Sequence, residues 1–416
     1  MGAKNILFIS YDGMTDPLGQ SQVIPYLSGL TKYGYTFTIL SCDKPDSFKQ
    51  NKEYVEKLIA PFPIKWVSIP YHKNPPLLSS IYDFFRLRQT AQKLHLKEHF
   101  DLIHTRVGLP PLVALWMKKK YNIPFLNDIR AFWAKQRADG GMWNIKNPVF
   151  NFVYHFFKKK EIEVINKAAY NTCLTFAAEK EIHSWDKILN QPIPIQVIPC
   201  SADLDLFNPE NRDELLAQQF RKELGIGESD FIISYLGSIG GWYLTDEMMR
   251  FCKLLSDAIP AAKFLFIAPH HHEQIVAAAV KQGLPAEKLI VKNARRHEVP
   301  VLISFSNFSL FFIKHCYSKI SSSPTKHAEI MAMGIPVITN SGVGDVKEIV
   351  NRYNAGYVTD DFTDKSFQDI IGKIKEGNSF NKTAIRNGAA EFYSLQNAVE
   401  KYRRVYSTVF DGAPAG

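Results

Sequence analysis

The sequence predicts an α/β protein of two Rossmann-like domains, each a doubly wound parallel sheet. Three observations predict it. Short apolar or β-branched runs alternate with helical segments along the chain, and strands separated by helices imply parallel pairing. Several of these runs lead directly into a polar or glycine-rich loop and then a helix, as in nucleotide-binding folds. The 416 residues, 46% of them hydrophobic, exceed what one core holds, since single cores stop growing at roughly 250–300 residues.

In the first half, a strand over 4–10 is followed by the polar loop YDGMTDPLGQSQV and a helix over about 21–32, ended by Gly34. A second strand over 36–41 completes a βαβ unit. Its loop places Gly19 and Gln20 at a helix N-terminus, outside a strand's carboxyl end, where ligands bind in open α/β sheets. The same loop also suits a plain connection. Strands over 65–70, 101–106 and 124–128 follow, separated by helices over 77–99 and 112–120. His104 reads as a strand-end residue, because it has no partner at metal-ligand spacing. Asp128 and Arg130 stand immediately after a strand, where site residues concentrate, and their short spacing also suits a mutual ion pair. The segment 144–169 sets Phe150, Phe152, Tyr154, Phe156 and Phe157 against Lys158, Lys159 and Lys160. It reads either as a basic amphipathic helix on a bilayer or as a core helix with a solvated basic turn.

In the second half, the strand over 231–236 runs into Gly237, Ser238, Gly240 and Gly241, and a helix begins near 245. Such a loop lets backbone approach a diphosphate closely. Further strands lie at 261–267 and 289–291. His270, His271 and His272 read as a solvated turn, since consecutive side chains on extended backbone point to alternate sides. The stretch 319–350 is the most informative. Ser323 before Pro324 predicts an N-cap with proline at the first helical position, Gly334 a left-handed stop, and 337–339 a buried strand. The predicted helix is about three turns long, with Glu329 at its sixth position, roughly 9 Å along the axis. Its first turn and the preceding loop carry Lys319, Ser321, Ser322, Thr325 and Lys326, and its unpaired N–H groups form an anion site.

Charge and cysteines bound the rest. Residues 1–203 hold 26 Lys+Arg against 17 Asp+Glu, whereas residues 204–416 hold 24 of each, so the whole formal charge of +9 lies in the first half. An anionic partner for that half follows: a membrane surface, since no nucleic-acid motif is present. Five widely spaced cysteines without a CxxC or Cys/His cluster argue against a disulfide framework or a zinc site. No apolar window reaches 18 residues, so neither a signal peptide nor a spanning helix is expected.

The run P-T-K-x-x-E-x-x-A-x-G-x-P-V-I, 324–338, resembles the nucleotide-sugar signature of retaining glycosyltransferases of family 4, whose GT-B architecture has two Rossmann-like domains facing a central cleft. The run I-P-x-x-x-D-x-x-x-F-x-P, 198–209, resembles the family's crossing between domains. The resemblance implies an acceptor domain over 1–200, a donor domain over 201–394 and a terminal helix, about 395–411, that packs back on the first. It implies that Glu329 holds the donor ribose hydroxyls and that Lys319, Ser321, Ser322, Thr325 and Lys326, with Gly237, Ser238, Gly240 and Gly241, serve the diphosphate and sugar. Arg295 and His297 fall where the family places the base, and Gly19 and Gln20 on a loop facing the cleft. Where most members carry a histidine, this chain has Asp128 and Arg130, like a subset with D-x-R-x-x-W. The usual motif is E-x7-E, and Ser321 stands at its first glutamate. The glycine loop lacks the basic residues common in the family, which leaves phosphate charge to backbone N–H groups, Lys319 and Lys326. The pair Asp203 and Asp205 spells D-x-D but falls in the linker, so no metal is expected.

The resulting expectation is a metal-independent, retaining hexosyltransferase without a resident cofactor, cytoplasmic and peripheral on the inner face of the plasma membrane. It would use a nucleoside diphosphate sugar, UDP in preference to GDP, and a lipid-linked or glycan acceptor in cell-surface polysaccharide synthesis. A nucleotide-sugar epimerase of the same architecture and a non-catalytic nucleotide-sugar binder are the alternatives. Labelled donor without acceptor separates them, because only an epimerase yields a new nucleotide sugar.

Overall fold

The computed structural model describes residues 3–189, 191–377 and 379–412. The chain divides into two units, Met1–Pro199 with Leu395–Gly416, and Cys200–Ser394.

The first unit is built on seven parallel strands: β1 (Lys4–Ser10), β2 (Tyr35–Asp43), β3 (Ile64–Pro70), β4 (Leu102–Arg106), β5 (Phe125–Ile129), β6 (Tyr170–Cys173) and β7 (Ile195–Val197). Their order is β3-β2-β1-β4-β5-β6-β7, so the winding reverses beside β1. Ile6, Leu7, Phe8 and Ile9 are all buried, the continuous apolar run of a strand covered on both faces. One covering layer includes the terminal helix Leu395–Asp411, which inserts Val399, Tyr402, Val405 and Tyr406. Gly29 makes room for it, since a Cβ there would lie 2.6 Å from Val399 Cγ2.

The second unit holds six parallel strands: β8 (Phe231–Leu236), β9 (Ala262–Ile267), β10 (Leu289–Lys292), β11 (Phe308–Leu310), β12 (Val337–Asn340) and β13 (Gly356–Thr359). Their order is β10-β9-β8-β11-β12-β13, and the reversal lies between β8 and β11. The loops that leave these two strands therefore flank the switch point, the crevice where open α/β sheets bind ligands.

Two local expectations are corrected. The single helix expected over 21–32 is two, Pro17–Gln22 and Ile24–Thr31. Pro25 has no N–H to give to residue 21, and its ring would clash with that carbonyl, so the helix breaks at Val23. Gly19 and Gln20 consequently lie inside the first of these helices, not at a helix N-terminus. Gly19 is buried, and a Cβ there would sit 2.5 Å from the Gly13 carbonyl oxygen. Gln20 Nε2 donates to the Thr15 carbonyl at 3.1 Å.

The helix expected from Pro324 runs instead over Thr325–Ala332, about two turns, with Pro324 extended at its cap. Ser323 does not cap it. Its hydroxyl accepts from the Cys200 N–H at 3.2 Å and ties the start of the unit to this loop. Gly334 takes the left-handed conformation at φ +69, with no room for a Cβ beside the Lys382 carbonyl.

Candidate functional site

At the switch point of the second unit, the turn after β8 is held from within. Gly237 adopts φ +105, a region closed to most side chains, and donates its N–H to the Ile267 carbonyl at 2.8 Å. The Tyr235 hydroxyl donates to the Ser238 carbonyl. The expected role of Gly237 as a backbone donor to phosphate is corrected accordingly: that N–H is engaged at the end of the β8–β9 ladder. Its missing side chain matters more, because a Cβ would stand 3.4 Å from Lys326 Nζ. Gly240 and Gly241, at φ +74 and +61, have open space on their Cβ sides. After them Trp242 meets Lys319, and Tyr243 meets Lys326 of the helix Thr325–Ala332.

Lys326 fills the space thus formed. It is 7% exposed, its Nζ donates to the Tyr235 hydroxyl at 3.0 Å, and it lies 4.1 Å and 3.7 Å from the ring centroids of Tyr235 and Tyr243. Burial drives the ammonium well below the usual lysine range, and Glu329 pulls the other way. Burial likewise pushes the Tyr243 hydroxyl up to about 12. The two aromatic faces partly replace the lost hydration of the cation. Lys319, also buried, lies with Nζ 3.7 Å from the Trp242 ring centroid. Both lysines thus reach the loop that carries no basic residue of its own, beside a helix start whose first N–H groups have no intrahelical acceptor. Thr325 and Ser322 are half-buried there. Ser321 is fully buried and turned inward, its hydroxyl donating to the Ser318 carbonyl at 3.0 Å.

Glu329 is the fifth residue of this helix, one turn beyond Lys326, and is 5% exposed. Burial holds its carboxyl above the usual carboxylate range, and Arg296 and then Lys326 offset only part of that rise. Arg296 Nη1 donates to Glu329 Oε1 at 2.5 Å. Of the residues expected near the base, Arg295 and His297 are exposed, and Arg295 gives its backbone N–H to Glu298 Oε2 at 2.7 Å. The arginine that reaches the carboxylate is the one between them.

In the first unit, Asp128 and Arg130 leave β5 buried and 3.8 Å apart, Asp128 Oδ1 to Arg130 Nη1. Asp128 Oδ1 also accepts from the Thr172 hydroxyl at 2.8 Å, and its Oδ2 stands 4.0 Å from His104 Nε2. His104 Nδ1 meets the Tyr406 hydroxyl at 2.8 Å, and burial lowers the imidazole to about 4. Asp128 therefore belongs to a buried polar cluster that also anchors the terminal helix. The loop after β1 is fixed by Asp43, whose Oδ1 accepts from the Thr15 N–H and hydroxyl and whose Oδ2 accepts from Ser41 and Ser68. Asp203 caps its own turn, accepting from the backbone N–H groups of Asp205 and Leu206.

Residues 217–391 match the family model described as glycosyl transferases group 1. The matched residues lie within the second unit. A D-inositol 3-phosphate glycosyltransferase of Thermomonospora curvata is 21% identical over 69% of this chain, a match that spans 66% of that protein, just under two thirds of its length. Among solved structures, a glycosyltransferase of Rickettsia africae superposes with a TM-score of 0.72 at 15% identity, over 99% of this chain and all of its own. HepE of Anabaena, solved with UDP-glucose, superposes with a TM-score of 0.66 at 14% identity, over 97% of this chain and 99% of its own. At these identities the likeness establishes the two-domain parallel-sheet fold of GT-B proteins.

Lys326 meets Gly237 and Tyr243, Lys319 meets Trp242, and Glu329 stands one turn beyond Lys326 on the same helix. Tyr235, Trp242 and Tyr243 were not expected there. Their signal in the sequence was the spacing of aromatics around the glycines, which reads equally well as core.

Proposed function

We propose that the protein is a retaining, metal-independent hexosyltransferase that moves a sugar from a nucleoside diphosphate donor to a lipid-linked or glycan acceptor in cell-surface polysaccharide synthesis. The observation that carries the reading is Lys326, a buried cation held against a glycine at a helix start, one turn before a buried glutamate. A diphosphate at that helix start and a ribose diol at Glu329 would satisfy both charges, since charge-assisted hydrogen bonds are the strong ones. The group 1 domain match supports the donor class, and UDP is favoured over GDP because the similar Anabaena protein holds UDP-glucose. No side chain is assigned as nucleophile. The leaving diphosphate takes the acceptor proton, stabilised by Lys326, Lys319 and backbone N–H groups. Asp128 and Arg130 are the first-unit groups proposed to serve the transfer.

A peripheral site on the inner face of the plasma membrane is part of this reading. No helix among the described residues is long and apolar enough to cross a membrane. The helix Pro148–Lys167 exposes Val149, Phe152 and Phe156, with Phe152 at 73%, while Phe157 packs against Trp133 and Trp143. Lys158 and Lys160 pair with Glu161 and Glu163, and Lys159 is exposed. Apolar residues on an i, i+3, i+7 face beside basic ones suit an anionic bilayer.

Incubation with labelled UDP-glucose and a membrane glycolipid extract, with and without EDTA, tests the proposal. Transfer of label to lipid that persists in chelator is expected. Conversion of the nucleotide sugar without acceptor would favour the epimerase, and turnover restored only by Mn²⁺ or Mg²⁺ would overturn metal independence.

A further inference from the structure

We infer that Arg296 is a positioning residue of the donor site: it favours the ionised form of the Glu329 carboxylate and aims it, so that it can accept the two hydrogen bonds of a ribose diol. The inference rests on the nucleotide-sugar reading above.

The geometry is specific. Glu329 lies on a helix whose residues from Lys326 to Ala332 are all buried. A carboxylate in such surroundings tends to take up a proton and would then present a donor to a diol that needs acceptors. Arg296 comes from the segment after β10 and is anchored at its root. Arg295 donates its N–H to Glu298 Oε2, and the Glu298 N–H donates back to the Arg295 carbonyl at 2.9 Å. The guanidinium lies 4.7 Å from the centroid of the buried Phe207 ring, and its Nη1 reaches Glu329 Oε1. The side chain as a whole is 41% exposed. The arm is therefore guided at two points and ends on one oxygen of the carboxylate.

The other charges near the helix are engaged differently. Lys326 acts on Glu329, but its Nζ is boxed by Tyr235 and Tyr243. From the helix Lys382–Tyr393, packed on the other side, Arg386 donates to the carbonyls of Phe207, Ala332 and Leu204, and the Tyr393 hydroxyl meets His327 Nδ1 at 3.0 Å. Among the described residues, Arg296 is thus the charged partner that hydrogen-bonds the Glu329 carboxylate.

The test is calorimetric titration of the full chain with UDP-glucose at about pH 5.5 and about pH 7.5, for wild type, R296Q and R296K. This probe carries a diphosphate diester, with no proton that titrates in that range. Without the guanidinium, burial raises the Glu329 pKa, so R296Q should lose affinity about tenfold for each pH unit below the new value. Wild type should begin to lose affinity only at a lower pH than R296Q, and R296K should restore most of the profile. Circular dichroism at both pH values checks that each variant is folded. A uniform loss in R296Q at both pH values would mean that Arg296 touches the donor itself, and unchanged or tighter binding would mean that it merely covers the site. Either result overturns the inference and leaves the donor reading standing. Absence of binding by wild type overturns the donor reading and the inference together.

Discussion

Lys326 Nζ lies 3.0 Å from the Tyr235 hydroxyl, so a cation from the start of the helix Thr325–Ala332 is held against the end of β8. The contact joins a central strand of the second sheet to that helix. It also sets a balance between stability and binding, because a buried ammonium is costly until an anion arrives.

Replacing Lys326 with Met should weaken UDP binding by about 1.5–3 kcal/mol, the worth of a hydrogen bond to a charged group. It should leave the fold at least as stable at neutral pH. The folded-state pKa of Lys326 is depressed, so the unfolded chain binds more protons between that value and the ordinary lysine value near 10.5. Wild-type stability should accordingly rise with pH across that window, and K326M should lose that part of the rise. Melting curves from pH 7 upward check both statements.

Glu329→Ala should reduce affinity for UDP and UDP-glucose by about 1.5–3 kcal/mol for each ribose hydrogen bond lost. The protein should remain folded, since the half-exposed Arg296 can turn to solvent. Unchanged affinity in calorimetry would remove Glu329 from the donor site.

Tyr406→Phe should destabilise the first unit by about 1–3 kcal/mol, because it leaves a buried imidazole nitrogen without its partner. Burial lowers His104 to about 4 and His327 to about 3. Both are depressed below the unfolded value near 6.5, so their contribution is present above that pH and is lost as pH falls toward 4 and 3. Urea titrations at neutral pH and near pH 5 should show lower stability at the acid value, with the midpoint of Y406F below wild type at neutral pH.

How much of this was legible beforehand depended on local signals. The strands Lys4–Ser10, Phe231–Leu236 and Val337–Asn340 announce themselves as apolar runs before loops, and the spacing of Lys326, Glu329 and Gly334 marks the helix Thr325–Ala332. Three-residue strands such as Ile195–Val197 and Phe308–Leu310 carry too few residues to show a period, and neighbouring strands, not propensity, define them. Pro25 breaks the single helix that the apolar pattern around it suggests, so Gly19 and Gln20 fall inside a separate helix and not at an N-terminus. Partners far apart in sequence, Arg296 with Glu329 and His104 with Tyr406, become visible only when the topology brings them together.

Vesicles rich in anionic lipid should retain the protein at low salt and release it as salt rises, since screening sets in beyond about 8 Å at physiological ionic strength. Phe152→Ser with Lys159→Glu should reduce retention more than Lys158→Glu, because Lys158 is already paired with Glu161 and covers Trp185. Sedimentation with anionic and neutral vesicles checks this, and equal retention on both would contradict the electrostatic part.

The central claim is that the second unit binds a nucleoside diphosphate at the Lys326 crevice, and a thermal-shift titration of the full chain with UDP, GDP and UDP-glucose tests it most directly. At a ligand concentration 100 times Kd the folded state gains about 2.7 kcal/mol, a clear rise in melting temperature. The account predicts a saturable rise with UDP and UDP-glucose, smaller with GDP, and strongly reduced in K326M. No shift with any of the three, or a shift that K326M leaves intact, would contradict it.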